Sequence, residues 1–366
     1  MIGFEEHKDC KMNSENLESA TNIVKQYVES EKIPGVVSLV AQNGKILSHK
    51  YFGFSQIMPH KEVMTLDTLF DLASLTKPII TATSIMILVD RGLINLNDTA
   101  SKFIEELYNT NRQNITIKEL LTHTSGLPDW RALYLNGKGY SEIINEVIKT
   151  ELQYKPSSIY IYSDLGYILL GEIIRKITNK ELFEFAYTNI LQPLDMKDSF
   201  FNPNYLNKNR CAATEFSALR NGVVKGEVHD NNAYYMGGIS GHAGLFSTAK
   251  DLFYFCQMLL NKGTFNNIKI LSSEAIENMT KNAIKPLGYE GLGFFIKGNS
   301  SSKDYSLSDD AFGHTGFTGT CFWVDPTLEL IIILLTNRVH PTRNNNTHIT
   351  LRREFINKVV SILTTS

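Results

Sequence analysis

The tightest constraint on this chain is the position of its β-prone runs, which lie at the two ends with helical stretches between. Residues 36–42 and 45–51 are rich in β-branched and aromatic side chains. They flank Asn43-Gly44, the strongest short-range signal for a two-residue hairpin. Residues 292–297, 313–324 and 328–337 are β-like again, the last two joined by Asp325-Pro326-Thr327. Between the two groups, 76–93 reads as a long buried helix. Stretches 115–121, 140–150, 165–177, 181–190 and 251–260 read as further helices, separated by loops rich in Asn, Gly and Pro. An amphipathic helix over 16–32 precedes the first strands, with Leu17, Ala20, Ile23, Val24, Tyr27 and Val28 on one face. A helix over 350–363 follows the last strand. Elements in this order predict an α+β fold, with one antiparallel sheet built from both chain ends, flanking helices and an inserted, mostly helical lobe. The whole chain, 1–366, reads as one domain. Its α/β lobe takes about 16–73 and 261–366, and its helical lobe about 74–260.

Composition narrows the chemistry. Apolar residues make up 43% and charged residues 20%, which excludes an intrinsically disordered chain. A net charge of −2 gives no whole-chain attraction to nucleic acid or to an anionic membrane. No CxxC links any of Cys10, Cys211, Cys256 and Cys321, and buried reduced thiols are expected at Cys256 and Cys321. The nine His contain no HExxH or HxxxH pair, so neither metal nor cofactor is expected. The first ten residues are polar and acidic, unlike a secretory leader. The longest strongly apolar run, 330–335, is far short of a membrane span, so no transmembrane segment is expected. The chain as written is expected in the cytoplasm, although a trimmed secreted chain could also begin at Met. A monomer is the default, with a small molecule or peptide as its partner.

Ser-x-x-Lys occurs three times, at Ser74–Lys77, Ser247–Lys250 and Ser300–Lys303. Three residues apart on a helix, the two side chains share a face. A Lys amine there can take the Ser proton if its surroundings lower its pKa. Ser74–Lys77 opens the long apolar helix, where an amine is most easily neutralised. Ser300–Lys303 lies in a polar loop. Ser247–Lys250 precedes a helix, where Ser247 or Thr248 reads as an N-cap. Pro78 directly after Lys77 suits only the first turn. The plain alternative for Ser74 is a helix cap beside a surface Lys.

Downstream of Ser74-Leu-Thr-Lys77 come Tyr162-Ser163-Asp164 and then His314-Thr315-Gly316. This order resembles the SxxK, YxN and KTG motifs of the penicillin-recognising serine hydrolases: class C β-lactamases, DD-peptidases and related esterases. Leu121-Thr-His-Thr-Ser-Gly-Leu127, the run over 238–252 and that over 313–323 are similar to the same group. The resemblance implies a β-lactamase/transpeptidase-like fold and metal-free hydrolysis of an amide or ester through an acyl-Ser74 intermediate. It implies that Ser74 attacks the carbonyl, that Lys77 or Tyr162 accepts its proton, and that Tyr162 protonates the leaving group. The backbone N–H groups of Ser74 and Phe317 would form the oxyanion hole. Asp164, His314, Thr315 and Gly316 would meet the substrate. Two true Tyr-x-Asn sequences, Tyr134-Leu-Asn136 and Tyr205-Leu-Asn207, lie in loop-like stretches, whereas Tyr162 precedes an apolar helix as the motif requires.

Two residues depart from the pattern. Asp164 stands for Asn, and its carboxylate would favour a protonated Lys77 and move the base role toward Tyr162; a helix cap is the plain alternative. His314 stands for Lys, so a substrate carboxylate would be held less strongly. His229, Asp230 and His242 are further pocket candidates, with hydrogen-bonded loop histidines as the plainer reading, and His123 reads as structural. The implied substrates are peptidoglycan-derived peptides or β-lactams. A muropeptide amidase of cell-wall recycling and a general carboxylesterase are alternatives, and a catalytically weak penicillin-binding sensor is the alternative of another class.

Overall fold

The protein is described here from a computed structural model covering residues 17–365. Cys10 and the expected helix start at Asn16 lie outside the described residues. Strands β1 (Gly35–Gln42) and β2 (Lys45–Gln56) form the hairpin expected around Asn43-Gly44. Both turn residues take positive φ, 52° and 74°, as a two-residue hairpin turn of this kind needs. The sheet continues with β3 (Glu62–Val63), β4 (Phe295–Ile296), β5 (Phe312–Thr315), β6 (Cys321–Asp325) and β7 (Leu330–Thr336). Its order is β4-β5-β6-β7-β1-β2-β3, antiparallel at every pairing. Strands from both chain ends therefore share one sheet. The single strand expected over 313–324 is two strands, because the chain turns at 316–320.

Five helices bear on the site: α1 (Glu18–Glu29), α2 (Thr83–Asp90), α3 (Asp164–Thr178), α4 (Ala249–Leu260) and α5 (His348–Thr364). Helices α1 and α5 cover one face of the sheet and α4 the other. Strand β7 shows why its sequence is a continuous apolar run. Leu330, Ile332 and Leu334 pack with α1 and α5, while Ile331, Ile333 and Leu335 join the core on the opposite face. Successive strand side chains point to opposite faces, so a strand covered on both sides needs no polar positions. Each such side chain contributes about 1.5–3 kcal/mol of burial.

The helix expected over 76–93 runs over Ala73–Asp90, entered through a short 3₁₀ turn (Ala73–Leu75) and a π turn (Lys77–Ala82). Pro78 sits in the first turn, as its missing N–H demands. The Thr83 hydroxyl donates to the Pro78 carbonyl at 2.7 Å. By length and composition alone this 18-residue stretch could cross a membrane, yet 83% of it is buried within the protein. Its apolar character serves the core shared by the sheet and the helical lobe.

Candidate active site

Three segments converge beside β5, one strand in from the β4 edge of the sheet. The first is the turn ahead of α2. Ala73 adopts a left-handed backbone (φ 48°), a conformation that costs a non-glycine residue energy and that recurs at functional sites. The buried Asp71 carboxylate holds it there, accepting from the Ala73 N–H at 2.8 Å and, through its other oxygen, from the His229 N–H at 2.6 Å. Ser74 is thereby presented at the head of the helix. The second segment is the start of α3. The Ser163 hydroxyl accepts from the Gly166 N–H at 3.4 Å as the N-cap, which puts Asp164 in the first turn and Tyr162 just before it. The third is the turn after β5. Thr318 and Thr320 hydroxyls donate to the carbonyls of Asp71 (2.7 Å) and Leu72 (3.1 Å), stapling residues 316–320 to the Ser74 segment.

Lys77 is fully buried. Its ammonium nitrogen lies 3.0 Å from Ser74 Oγ, 2.7 Å from Asp164 Oδ1 and 3.3 Å from the His242 carbonyl. It also stands 4.8 Å from the centre of the Tyr162 ring. Burial pulls the Lys77 ammonium down, but the Asp164 carboxylate and the Tyr162 phenol outweigh it and hold it above its ordinary range. Burial pushes the Tyr162 phenol up, against the opposing pull of Lys77. At rest the trio is therefore an ammonium, a carboxylate and a neutral phenol.

Ser74, Tyr162, Thr315, Gly316 and Phe317 line one cleft of about 510 Å³. Lys77 and Asp164 lie behind it, joined to it through Ser74. His314, expected to hold a substrate carboxylate less strongly than Lys would, offers it no charge. It is fully buried, stacked on Phe295 at 4.2 Å, with Nδ1 donating to the Thr315 carbonyl at 2.9 Å. Burial and the nearby Lys77 push it down to about 3, so it is neutral at physiological pH. The other Ser-x-x-Lys pairs stay apart from this chemistry. Ser247 is buried in the strand Leu245–Ser247 and bonded to Ser199 at 2.7 Å, while Thr248 caps α4. Ser300 sits exposed at the far rim of the cleft. Tyr134 stacks on Tyr235, away from Ser74. His229 and His242 are both held by acids, Glu215 (3.2 Å) and Asp230 (2.8 Å).

Sequence reasoning named Asp164, Asp230 and His242 but missed the arginines of the cleft. Asp164, Asp230 and His242 bring ligand atoms within 4.8 Å of one another, a spacing that could hold a metal ion; the Lys77 ammonium already supplies a cation against Asp164. Arg338, Arg352 and Arg353 line the cleft with His348, facing the single acid Asp304. No motif marks them, because they reach the cleft from the end of β7 and the first turns of α5. Cys211, Cys256 and Cys321 are free and buried.

This sheet and this Ser–Lys–Tyr arrangement define a serine hydrolase of the β-lactamase and penicillin-binding type. The β-lactamase family model matches residues 20–356, and the chain belongs to that family. A relative from Salmonella agona, named as a D-alanyl-D-alanine carboxypeptidase, is 33% identical over 84% of this chain and 79% of its own. Among solved structures, EstCE1, described as a hydrolase with promiscuous acyltransferase activity, superposes with a TM-score of 0.78. It shows 20% identity and covers 95% of this chain and 99% of its own. The octameric penicillin-binding protein homologue of Pyrococcus abyssi superposes with a TM-score of 0.73 at 24% identity, covering 92% and 76%. These last two are similar in fold.

Proposed function

We propose that the enzyme hydrolyses an amide beside a free carboxylate, through an acyl-Ser74 intermediate, as a D-alanyl carboxypeptidase does. One observation supports the carboxylate. Arg352 is 5% exposed, and its Nε and Nη2 have no hydrogen-bond partner. The groups that perturb it most are the Cys321 thiol and the Tyr305 phenol, both pushed up and hence neutral at pH 7. A buried guanidinium whose main perturbing groups are neutral, and which lies close enough to Arg338 to perturb it, is costly unless an anion joins it. Its side chain lines the same cleft as Ser74, beside the first turn of α5 (Asn346, His348, Ile349, Thr350), whose N-terminal end favours negative charge. Arg352 would take the role that a buried, neutral His314 cannot.

In this reading the small fraction of Lys77 present as the free amine accepts the Ser74 proton while Oγ bonds to the carbonyl carbon. The oxyanion is met by the N–H groups of Ser74 and Phe317. Tyr162 gives its proton to the leaving nitrogen as the C–N bond breaks, and Lys77 returns one to Tyr162. Water then repeats the sequence against the acyl-Ser74 ester.

The test is the carboxylate itself. A D-alanyl-D-alanine-ended peptide should be cleaved at least tenfold faster, in kcat/KM, than its C-terminal amide, and Arg352→Gln should erase that difference. Equal rates for acid and amide would sink the carboxylate reading while leaving the serine hydrolase intact. Mass spectrometry after exposure to penicillin should place the adduct on Ser74.

A further inference from the structure

We propose that His123 is a positioning residue that sets the orientation of the Tyr162 phenol. The proposal rests on the reading of Tyr162 as proton donor. The sequence places His123 in a turn with nothing to mark it for chemistry. In the fold it touches the 161–163 segment in three ways. Its carbonyl accepts from the Ile161 N–H at 2.9 Å. Its Nδ1 accepts from the Ser163 N–H at 2.9 Å. Its ring lies on the Tyr162 ring, 4.3 Å between centres at 34°. The residues on both sides of Tyr162 and its aromatic face thus all bear on one residue, Ser163 and the ring through its side chain.

Three further features fit a clamp. His123 holds a left-handed backbone (φ 58°), and His is among the few non-glycine residues enriched there. The ring is wedged by Tyr167 at 5.1 Å and by the edge of Tyr160 at 6.2 Å, so it has nowhere to swing. Because Nδ1 accepts a backbone N–H, the ring is the neutral tautomer with its proton on Nε2. Burial, with Lys77 and His314 nearby, keeps it neutral well below the ordinary histidine range. A second cation is thereby kept away from Lys77, and the Ser163 N–H keeps its acceptor.

Leaving-group dependence separates this role from a merely structural one. p-Nitrophenolate departs without a proton, whereas an alkoxide needs one. Two esters with the same acyl group, p-nitrophenyl butyrate and ethyl butyrate, are the probes. His123→Phe keeps the ring and loses the acceptor. His123→Asn keeps a short acceptor, tolerates the left-handed backbone and loses the ring. Either variant should lower kcat/KM, which reports acylation, about tenfold or more on the ethyl ester, while changing that on the p-nitrophenyl ester less than about threefold. In a Tyr162→Phe background both should add no further loss, since the group they position is gone. Equal losses on the two esters, or losses that add to Tyr162→Phe, would overturn the proposal. Wild-type rates that survive Ser74→Ala would instead indict the acyl-Ser74 reading. Asn is the variant expected to fold if Phe does not.

Discussion

Replacing Asp164 by Asn tests the electrostatics of the whole site with one atom. The Asp164 oxygen lies 2.7 Å from the Lys77 nitrogen. At an effective dielectric of about 20, Coulomb's law gives roughly 6 kcal/mol for that pair, an upper bound. Asp164 is 19% exposed, and opposite charges at such range typically move a pKa by about 1–3 units, or roughly 1.4–4 kcal/mol. The variant keeps the oxygen and removes the charge. With burial left to dominate, Lys77 should deprotonate about 1–3 pH units lower. If the free amine is the base, the rising limb of the kcat/KM profile should move down by that amount, and activity at pH 7 should increase about tenfold or more. Stability gives an independent check. A buried ammonium without its partner is destabilising by about 3–5 kcal/mol, so the urea midpoint should fall near pH 6 and recover as the amine sheds its proton. A variant whose pH limb stays where the wild type has it would refute the assignment of Lys77 as the titrating base.

Other outcomes follow from the same geometry. Ser74→Ala should abolish phosphonylation by a fluorophosphonate. Ser247→Ala should cost about 1 kcal/mol of stability through its lost bond to Ser199, with activity intact, and Ser300→Ala should change neither by much. His314→Gln tests the buried neutral ring. Folded His314 sits at about 3 against an unfolded value of about 6.5, so the unfolded chain binds the extra proton between them. Its stabilising effect is complete above about pH 6.5 and drains away as pH falls, at about 1.4 kcal/mol per unit. Wild type should lose about 2 kcal/mol more than His314→Gln between pH 7 and pH 5 in urea unfolding; parallel losses would contradict the buried neutral imidazole. Gly316→Ala should disable the site without unfolding the core. A Cβ there would fall 2.1 Å from Thr320 Oγ1 and 2.4 Å from the Leu72 carbonyl, prising the turn from the Ser74 segment. Wild-type kcat in this variant would show that the staple is dispensable.

Much of this architecture is legible in the chain. The Asn43-Gly44 hairpin, the apolar run of β7 and the long helix after Ser74 are local signals, and local physics decides them. The structure also brings Ser74 within 3.0 Å of Lys77, the pairing the motif order favoured. The split of 313–324 into β5 and β6 was hidden, since the turn at 316–320 is held by hydroxyl bonds to Asp71 and Leu72, far away in sequence. The protonation of Lys77 depended on whether Asp164 comes within bonding distance, which no spacing states. The burial of His314 against Phe295 was not legible in its motif, because it depends on β4, the two-residue strand Phe295–Ile296. Arg352 was invisible for the opposite reason. It lies on the buried side of a helix otherwise patterned for packing, and its significance is the missing counter-ion.

The pairing of β1 with β7 carries a consequence for how the protein comes into being. Val36 sits opposite Thr336, and the run of partners continues to Gln42 opposite Leu330. During synthesis the first hairpin emerges with one edge bare, and its neighbour follows only after the whole helical lobe has been made. Contacts so remote in sequence are slow to form, and a waiting strand edge is exposed to wrong partners. A ribosome that stalls before residue 330 would release a chain holding Ser74, Lys77 and Tyr162 but lacking the strand that closes the sheet beside β1. Such a fragment has the reagents of the reaction without the frame that aligns them, and quality control would meet it as an open edge rather than as a weak enzyme.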